Sequence, residues 1–187
     1  MVPTDWLIGH AALLPSGGEA LDIACGGGRH ALWLARHGLR VTAVDRSEEA
    51  IASVAEAARQ EDLPIDARVV DLELADATLG QSAYDVIVAV HYLHRPLFPA
   101  IMTALRPHGL LIYETFTRAQ ARRGRPTNPA FLLEPGELRR LTAGLIVLDA
   151  REGEFGNRDI ASIVCRKSAD RVERLPDLRG VDVEVRR

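Results

Sequence analysis

The segment Leu21-Asp22-Ile23-Ala24-Cys25-Gly26-Gly27-Gly28 constrains the fold of this chain more than any other. An apolar run ends, three glycines follow without a break, and helical spacing begins at once. Glycine accepts positive φ without steric cost and lets another group approach the backbone closely. A helix that starts behind such a turn presents unpaired N–H groups and the positive end of its dipole. The expected unit is strand, tight turn and helix, with a ligand hollow at the junction.

The same alternation runs through most of the chain. Residues 4–14 read as a short amphipathic helix, ended by Pro15 and the pair Gly17-Gly18. Strands are expected at 20–24, 41–44, 65–70, 86–90 and 109–114. The unbroken apolar run at 86–90 suits a strand buried on both faces. A helix is expected at 28–37, closed by Gly38 in the left-handed conformation. Ser47 is placed to cap the next helix, with Glu48 and Glu49 at its positive end. There Ile51, Val54, Ala55 and Ala58 recur at helical spacing and are expected to face the sheet. Pro96 opens a further helix, with Leu97, Ile101, Ala104 and Leu105 on one stripe. Residues 116–133 read as an irregular loop, Pro135 starts a helix that ends near Gly144, and strands at 145–148 and 160–165 close the chain. No helix separates those two strands, so one should run against the rest. The fold class is α/β: a Rossmann-like, doubly wound, mostly parallel seven-stranded sheet with a reversed C-terminal hairpin and helices on both faces.

A chain of 187 residues, 47% of them apolar, suits one domain. We place it at 1–167, with an N-terminal helix and linker over 1–18 and a core over 19–167, and read 168–187 as a charged extension. A net charge of −3 argues against gripping nucleic acid as the main task. Cys25 and Cys165 lie in apolar strand contexts, the usage of a reduced compartment. The start lacks a cationic segment followed by a long apolar run, and no apolar stretch nears the roughly 20 residues a bilayer span needs. The expectation is a cytoplasmic protein with no membrane contact, no metal site and an open oligomeric state.

Acids surround the glycine turn. Asp45 ends the second strand about 20 residues on, where a Rossmann-type unit binds ribose hydroxyls. Asp71 ends the third strand and is placed to reach an adenine edge. These positions fall at the carboxyl ends of parallel strands, where ligands of such sheets bind. The run Gly26-Gly27-Gly28-Arg29-His30-Ala31 also fits a dinucleotide fingerprint, so a nicotinamide cofactor competes. Asp22, just before the turn, would repel a pyrophosphate and attract a sulfonium ligand with a free amino group. Arg29 or the helix N-terminus can meet that ligand's carboxylate. Charge therefore favours S-adenosylmethionine, with S-adenosylhomocysteine as product.

Residues 22–28 resemble motif I of the class I S-adenosylmethionine-dependent methyltransferases. Val44-Asp45 and Val70-Asp71-Leu72 resemble the acidic ends of that family's second and third strands. Tyr84-Asp85-Val86-Ile87 is similar to its fourth-strand motif, and Arg106-Pro107-His108-Gly109-Leu110-Leu111 to its turn into strand five. Ala24 stands where many members have the motif's first glycine. The resemblance covers residues 20–167. Within the class, residues 26–45 and 126–138 look most like small bacterial methyltransferases of the tellurite-resistance type. The implied cofactor set is Asp22, Ala24, Gly26, Gly28, Arg29, His30, Asp45, Arg46, Asp71, Leu72 and Val90, with His30 as a neutral imidazole at the helix start.

Methyl transfer from a sulfonium is an in-line displacement that needs alignment and exclusion of water more than activation. A thiolate, or an oxyanion of tellurium or selenium, needs no strong base; a hydroxyl or amine must lose a proton. His91, directly after the fourth strand, is the candidate catalytic residue. Tyr92, Arg95, Glu114, Arg118, Arg122 and Arg123 are the candidate substrate residues. Arg118, Arg122, Arg123 and Arg125, with Asn128 and Phe131, are expected to form a cationic lid suited to an anionic substrate. His91-Tyr92-Leu93-His94 holds no Asn/Asp-Pro-Pro-aromatic motif, which argues against a DNA-amine methylase. The leading function is methylation of a small-molecule acceptor. The alternatives are an RNA- or protein-modifying methyltransferase, an NAD-dependent oxidoreductase and a scaffold without chemistry.

Overall fold

The computed structural model describes residues 2–74 and 78–169. Most of the charged extension expected from the sequence, residues 170–187, lies outside them. Seven strands form one sheet: β1 (Glu19–Ile23), β2 (Arg40–Asp45), β3 (Ile65–Val69), β4 (Tyr84–Val90), β5 (Leu105–Phe116), β6 (Ile146–Phe155) and β7 (Arg158–Arg166). Their order is β3-β2-β1-β4-β5-β7-β6. Strands β1 to β5 are parallel, and β7 enters between β5 and β6 antiparallel to both.

The helices are α1 (Asp5–Gly9), α2 (Arg29–Arg36), α3 (Glu48–Gln60), α4 (Phe98–Ala104) and α5 (Glu137–Leu141). Side-chain alternation along the strands divides the core. Ala20, Val86, Val88 and Ile112 point to the layer of α1, α2 and α3, where Trp6, Leu7, Leu34 and Val54 are buried. Leu21, Ile23, Ile87, Ala89, Leu111 and Tyr113 point to the other layer, against Phe98 and Ile101 of α4 and Leu138 of α5. Central strand β4 is buried on both faces over Val86–Val90, the reason for its unbroken apolar run.

Local signals act as their chemistry dictates. The Ser47 side chain accepts the N–H of Ala50 and caps α3. Gly38 follows α2 at φ 90°. Four expectations need correction. Residues 4–14 split into α1, capped by Thr4, and a 3-10 turn at Ala11–Leu13, because the chain breaks helical geometry at His10. Ala55 is exposed, since the buried stripe of α3 is Ile51, Val54 and Ala58. The helix after Pro135 is the single short α5, opened by Gly136 at φ 66°. Strand β6 continues past Leu148 to Phe155 and turns through Gly156-Asn157 directly into β7. Its polar outer half is an edge strand, which needs no apolar alternation on its free side. No helix among the described residues is long and apolar enough to cross a membrane.

Candidate active site

The carboxyl ends of β1 to β5 surround one cavity of about 260 Å³. Its walls include Ala24, Asp45, Arg46, Val70, Asp71 and Leu72 from the ends of the first three strands. The opposite wall is His91, Tyr92, Leu93, Phe116, Pro126 and Phe131. Parallel strands deliver their following loops to the same sheet edge, so residues distant in sequence converge there.

The glycine turn is left-handed at three points: Ala24 at φ 51°, Gly26 at φ 51° and Gly28 at φ 73°. Gly26 and Gly28 do different work. A Cβ on Gly26 would meet nothing within 4 Å, so that face of the turn is open to a ligand. A Cβ on Gly28 would lie 2.5 Å from Val54 Cγ2, so the third glycine lets α3 pack against the start of α2. Ala24 bears the cost of positive φ with a side chain, a strain often found at functional turns. The Asp45 carboxylate holds the turn: Oδ2 accepts the Gly26 N–H at 2.9 Å, and Oδ1 accepts the Ser47 N–H at 2.9 Å.

Beneath the turn, Asp22 is 1% exposed. Its Oδ2 accepts the Ala31 N–H at 3.0 Å, one of the orphan donors of α2, while Oδ1 has no partner among the described residues. Burial pushes its carboxyl up to about 7, against the Ala31 hydrogen bond and the Arg29 charge. Asp22 thus sits below the hollow and does not line the cavity. His30 is buried at the first turn of α2, and its Nε2 faces the Thr4 N–H at 3.4 Å. Burial, with the charge of Arg29, lowers it to about 3 and keeps the imidazole neutral. Val90 is buried toward the α1–α3 layer, away from the cavity. Arg29 is half-buried at the same helix start. Cys25 is buried in the turn, and burial raises its thiol to about 12, which leaves it inert as a nucleophile.

His91 adopts φ 59°, uncommon for a residue with a side chain, while its N–H continues the β4–β5 ladder to Glu114 O at 2.8 Å. Its ring stacks on Phe116 with centroids 4.6 Å apart and planes at 21°. Nε2 lies 3.3 Å from Arg158 Nη1 at the start of β7. Burial, then the Arg158 and Arg29 charges, lowers His91 to about 4. Tyr113 fixes the segment that follows by donating its hydroxyl to Tyr92 O at 2.7 Å. The Tyr92 hydroxyl is buried without a partner among the described residues, and burial raises it to about 12.

The remaining sequence candidates stand elsewhere. Arg95 pairs with Glu137 at 2.7 Å and donates to Ala130 O and Leu132 O, so it staples the loop before α5 and is not in the wall of this cavity. Glu114 is buried, accepting from Ser162 Oγ at 2.8 Å and Arg151 Nη2 at 3.2 Å. Arg118 pairs with Glu134 at 2.6 Å. Arg123 pairs with Asp159 and, at 2.5 Å, with Glu154. Gln120 ties the same loop through Arg125 O at 3.1 Å and the Asp159 N–H at 2.9 Å. Of the expected cationic lid, Arg118 and Arg123 are therefore taken up by local carboxylates that pin the loop. Arg122 has no ion pair among the described residues, and it is not in the cavity wall. Sequence reasoning missed Val70, Glu73, Leu93, Phe116 and Pro126 in the wall and Arg158 beside His91. Val70, Glu73, Leu93 and Phe116 follow once the strand ends are known; Pro126 comes from the loop after β5, and Arg158 is reached only through the reversed hairpin.

Residues 20–109 match the family model of the methyltransferase domain. The chain is 34% identical over 101 residues to the probable S-adenosyl-L-methionine-dependent methyltransferase TehB of Haemophilus influenzae, spanning 52% of this chain and 34% of that protein. It is 33% identical over 107 residues to the ubiquinone biosynthesis O-methyltransferase of Coxiella burnetii, spanning 54% of this chain and 45% of that protein. The chain thus spans less than half the length of these curated relatives. The crystal structure of Haemophilus influenzae TehB superposes with a TM-score of 0.73 at 23% identity, covering 89% of this chain and 63% of that one. That likeness concerns the fold alone.

Proposed function

We propose that this chain, which carries a methyltransferase domain over residues 20–109, is an S-adenosylmethionine-dependent methyltransferase acting on a small-molecule acceptor. The observation that carries the reading is the open left-handed turn at Gly26, held by Asp45 at the lip of the cavity. The residues present fit the cofactor. Asp45 offers carboxylate oxygens where ribose hydroxyls belong, and Val70, Leu72 and Asp71 form an apolar slot with an acidic end for adenine. Asp22 leaves one buried oxygen under the turn without a partner among the described residues, an acceptor available to the ammonium of the aminoacyl end. When bound, the cofactor supplies an electrophilic methyl group.

The chain's own groups do the positioning. Tyr113 and the β4–β5 ladder fix the backbone of His91 and Tyr92. A His91 imidazole that protonates only near 4 is neutral at physiological pH and a weak base. This favours an acceptor whose nucleophile arrives ionised or soft. A net negative chain favours a small acceptor over RNA.

Calorimetry tests the reading. S-adenosylmethionine and S-adenosylhomocysteine should bind the wild type, bind far more weakly to Asp45→Ala, and outcompete NAD. Selective NAD binding would replace this reading with the oxidoreductase, and no binding of any of the three would leave a scaffold.

A further inference from the structure

The wall of the cavity opposite the glycine turn is chemically unlike the first. It consists of the His91–Phe116 stack, Tyr92, Leu93, Pro126 and Phe131. Phe131 is 46% exposed, one of few large apolar side chains left so open among the described residues. What sets Phe131 apart from the other exposed apolar side chains is that it lines the cavity, where a ligand's contact would bury its ring. Its loop is not free to collapse inward. The Asn128 side chain accepts the Ala130 N–H at 3.0 Å, and Arg95 holds Ala130 O and Leu132 O on either side of Phe131. The ring is thus presented at the mouth by its neighbours.

These six residues carry no carboxylate, but Asp45, Asp71 and Glu73 line the same cavity and their charges reach Tyr92, so an anionic group is directed to the other end, where His91 Nε2 faces the Arg158 guanidinium at 3.3 Å. We infer that this wall is an acceptor slot for a planar aromatic molecule bearing an acidic hydroxyl or thiol, stacked against Phe131 and the His91–Phe116 pair. The inference rests on the methyltransferase reading of the same cavity. Aromatic rings gain by offset or edge-to-face contact with other rings, beyond the area they bury. A guanidinium at the rim complements the oxyanion or thiolate of such an acceptor. The step balances without a protein base. The ionised oxygen or sulfur forms a bond to the methyl carbon, the carbon–sulfonium bond breaks with its electron pair kept by sulfur, and two neutral products result. An acceptor that loses its proton to solvent first suits a site whose histidine is held at about 4.

The test uses the full chain, S-adenosylmethionine and four probes: para-nitrothiophenol, para-nitrophenol, 2-mercaptoethanol and selenite. Binding of S-adenosylhomocysteine is read first by calorimetry, on the wild type and on Phe131→Ala and Phe131→Leu. Transfer to each probe is then read as S-adenosylhomocysteine released. The expected result is turnover of the aromatic probes with kcat/KM at least about tenfold above the other two. Phe131→Ala should raise KM for the aromatic probes about tenfold and Phe131→Leu should restore little, with S-adenosylhomocysteine affinity held within about twofold in both. Equal or better turnover of mercaptoethanol or selenite, or a KM indifferent to Phe131, overturns the aromatic slot while leaving the methyltransferase. Failure of the wild type to bind S-adenosylhomocysteine overturns both.

Discussion

Asp45 Oδ2 accepts the N–H of Gly26 at 2.9 Å, so the acid that ends β2 already holds the turn that ends β1. One carboxylate therefore shapes the hollow and also faces it. Replacing it by Ala should have two separable effects. Loss of the hydrogen bonds from Gly26 and Ser47 should cost about 1–2 kcal/mol of stability, read from urea midpoints. Loss of S-adenosylhomocysteine binding should exceed what that cost explains. Unchanged affinity in a folded variant would remove Asp45 from the ligand site.

Gly28 and Val54 make a second testable pair. Gly28→Ala places a methyl 2.5 Å from Val54 Cγ2 on a backbone at φ 73°. We expect a loss of about 3 kcal/mol from overpacking and left-handed strain together. Combining it with Val54→Ala should cost clearly less than the sum of the two singles, because the smaller side chain makes room. Additive losses would mean that backbone strain alone makes the glycine necessary.

Stability should depend on pH through three groups with opposing signs. His30 and His91 protonate at about 3 and about 4 when folded, against 6.5 ordinarily. The unfolded chain then binds more protons, so their contribution is full above about 6.5 and is lost as pH falls toward 3 to 4. Asp22 holds its proton up to about 7 when folded, against 3.8 ordinarily. Its contribution is full below 3.8 and is lost as pH rises through 7. Denaturation midpoints taken across this range should show His30→Gln reducing the acid-side loss. Asp22→Asn should gain on the wild type steadily from pH 4 to 7. Parallel curves for all three proteins would disprove the assignment.

Arg158 should tune His91. Removing its guanidinium in Arg158→Ala leaves burial, the larger cause, in place. The His91 midpoint, followed by NMR of the ring proton, should rise from about 4 but stop short of 6.5. An unmoved midpoint would show that the contact at 3.3 Å carries no electrostatic weight.

The strands that build the site were legible because each carries its own signal. Val86–Val90 is apolar throughout since both faces are covered, and Gly26 and Gly28 mark where the backbone turns left-handed. Asp45, Asp71 and His91 follow from their places at strand ends. What stayed hidden depends on partners far along the chain. Arg118, Arg123 and Arg95 read as free cations, yet Glu134, Asp159 and Glu137 claim them after folding. Ala55 read as core because alanine reports helical spacing without reporting side. The outer half of β6 lacked a pattern, since an edge strand with one solvated face needs little hydrophobic alternation.

The insertion of β7 between β5 and β6 has a consequence for how the chain is made. Strand β5 is buried over Gly109–Thr115, yet its outer edge waits for a strand about 50 residues later, with Leu111 paired to Cys165. During synthesis the first five strands leave the ribosome with the N–H and C=O groups of that edge unpaired. His91, too, has no neighbour from β7 until Arg158 arrives at the same rim. A nascent chain halted before β7 would hold the glycine-turn sequence and still lack the partner strand of β5.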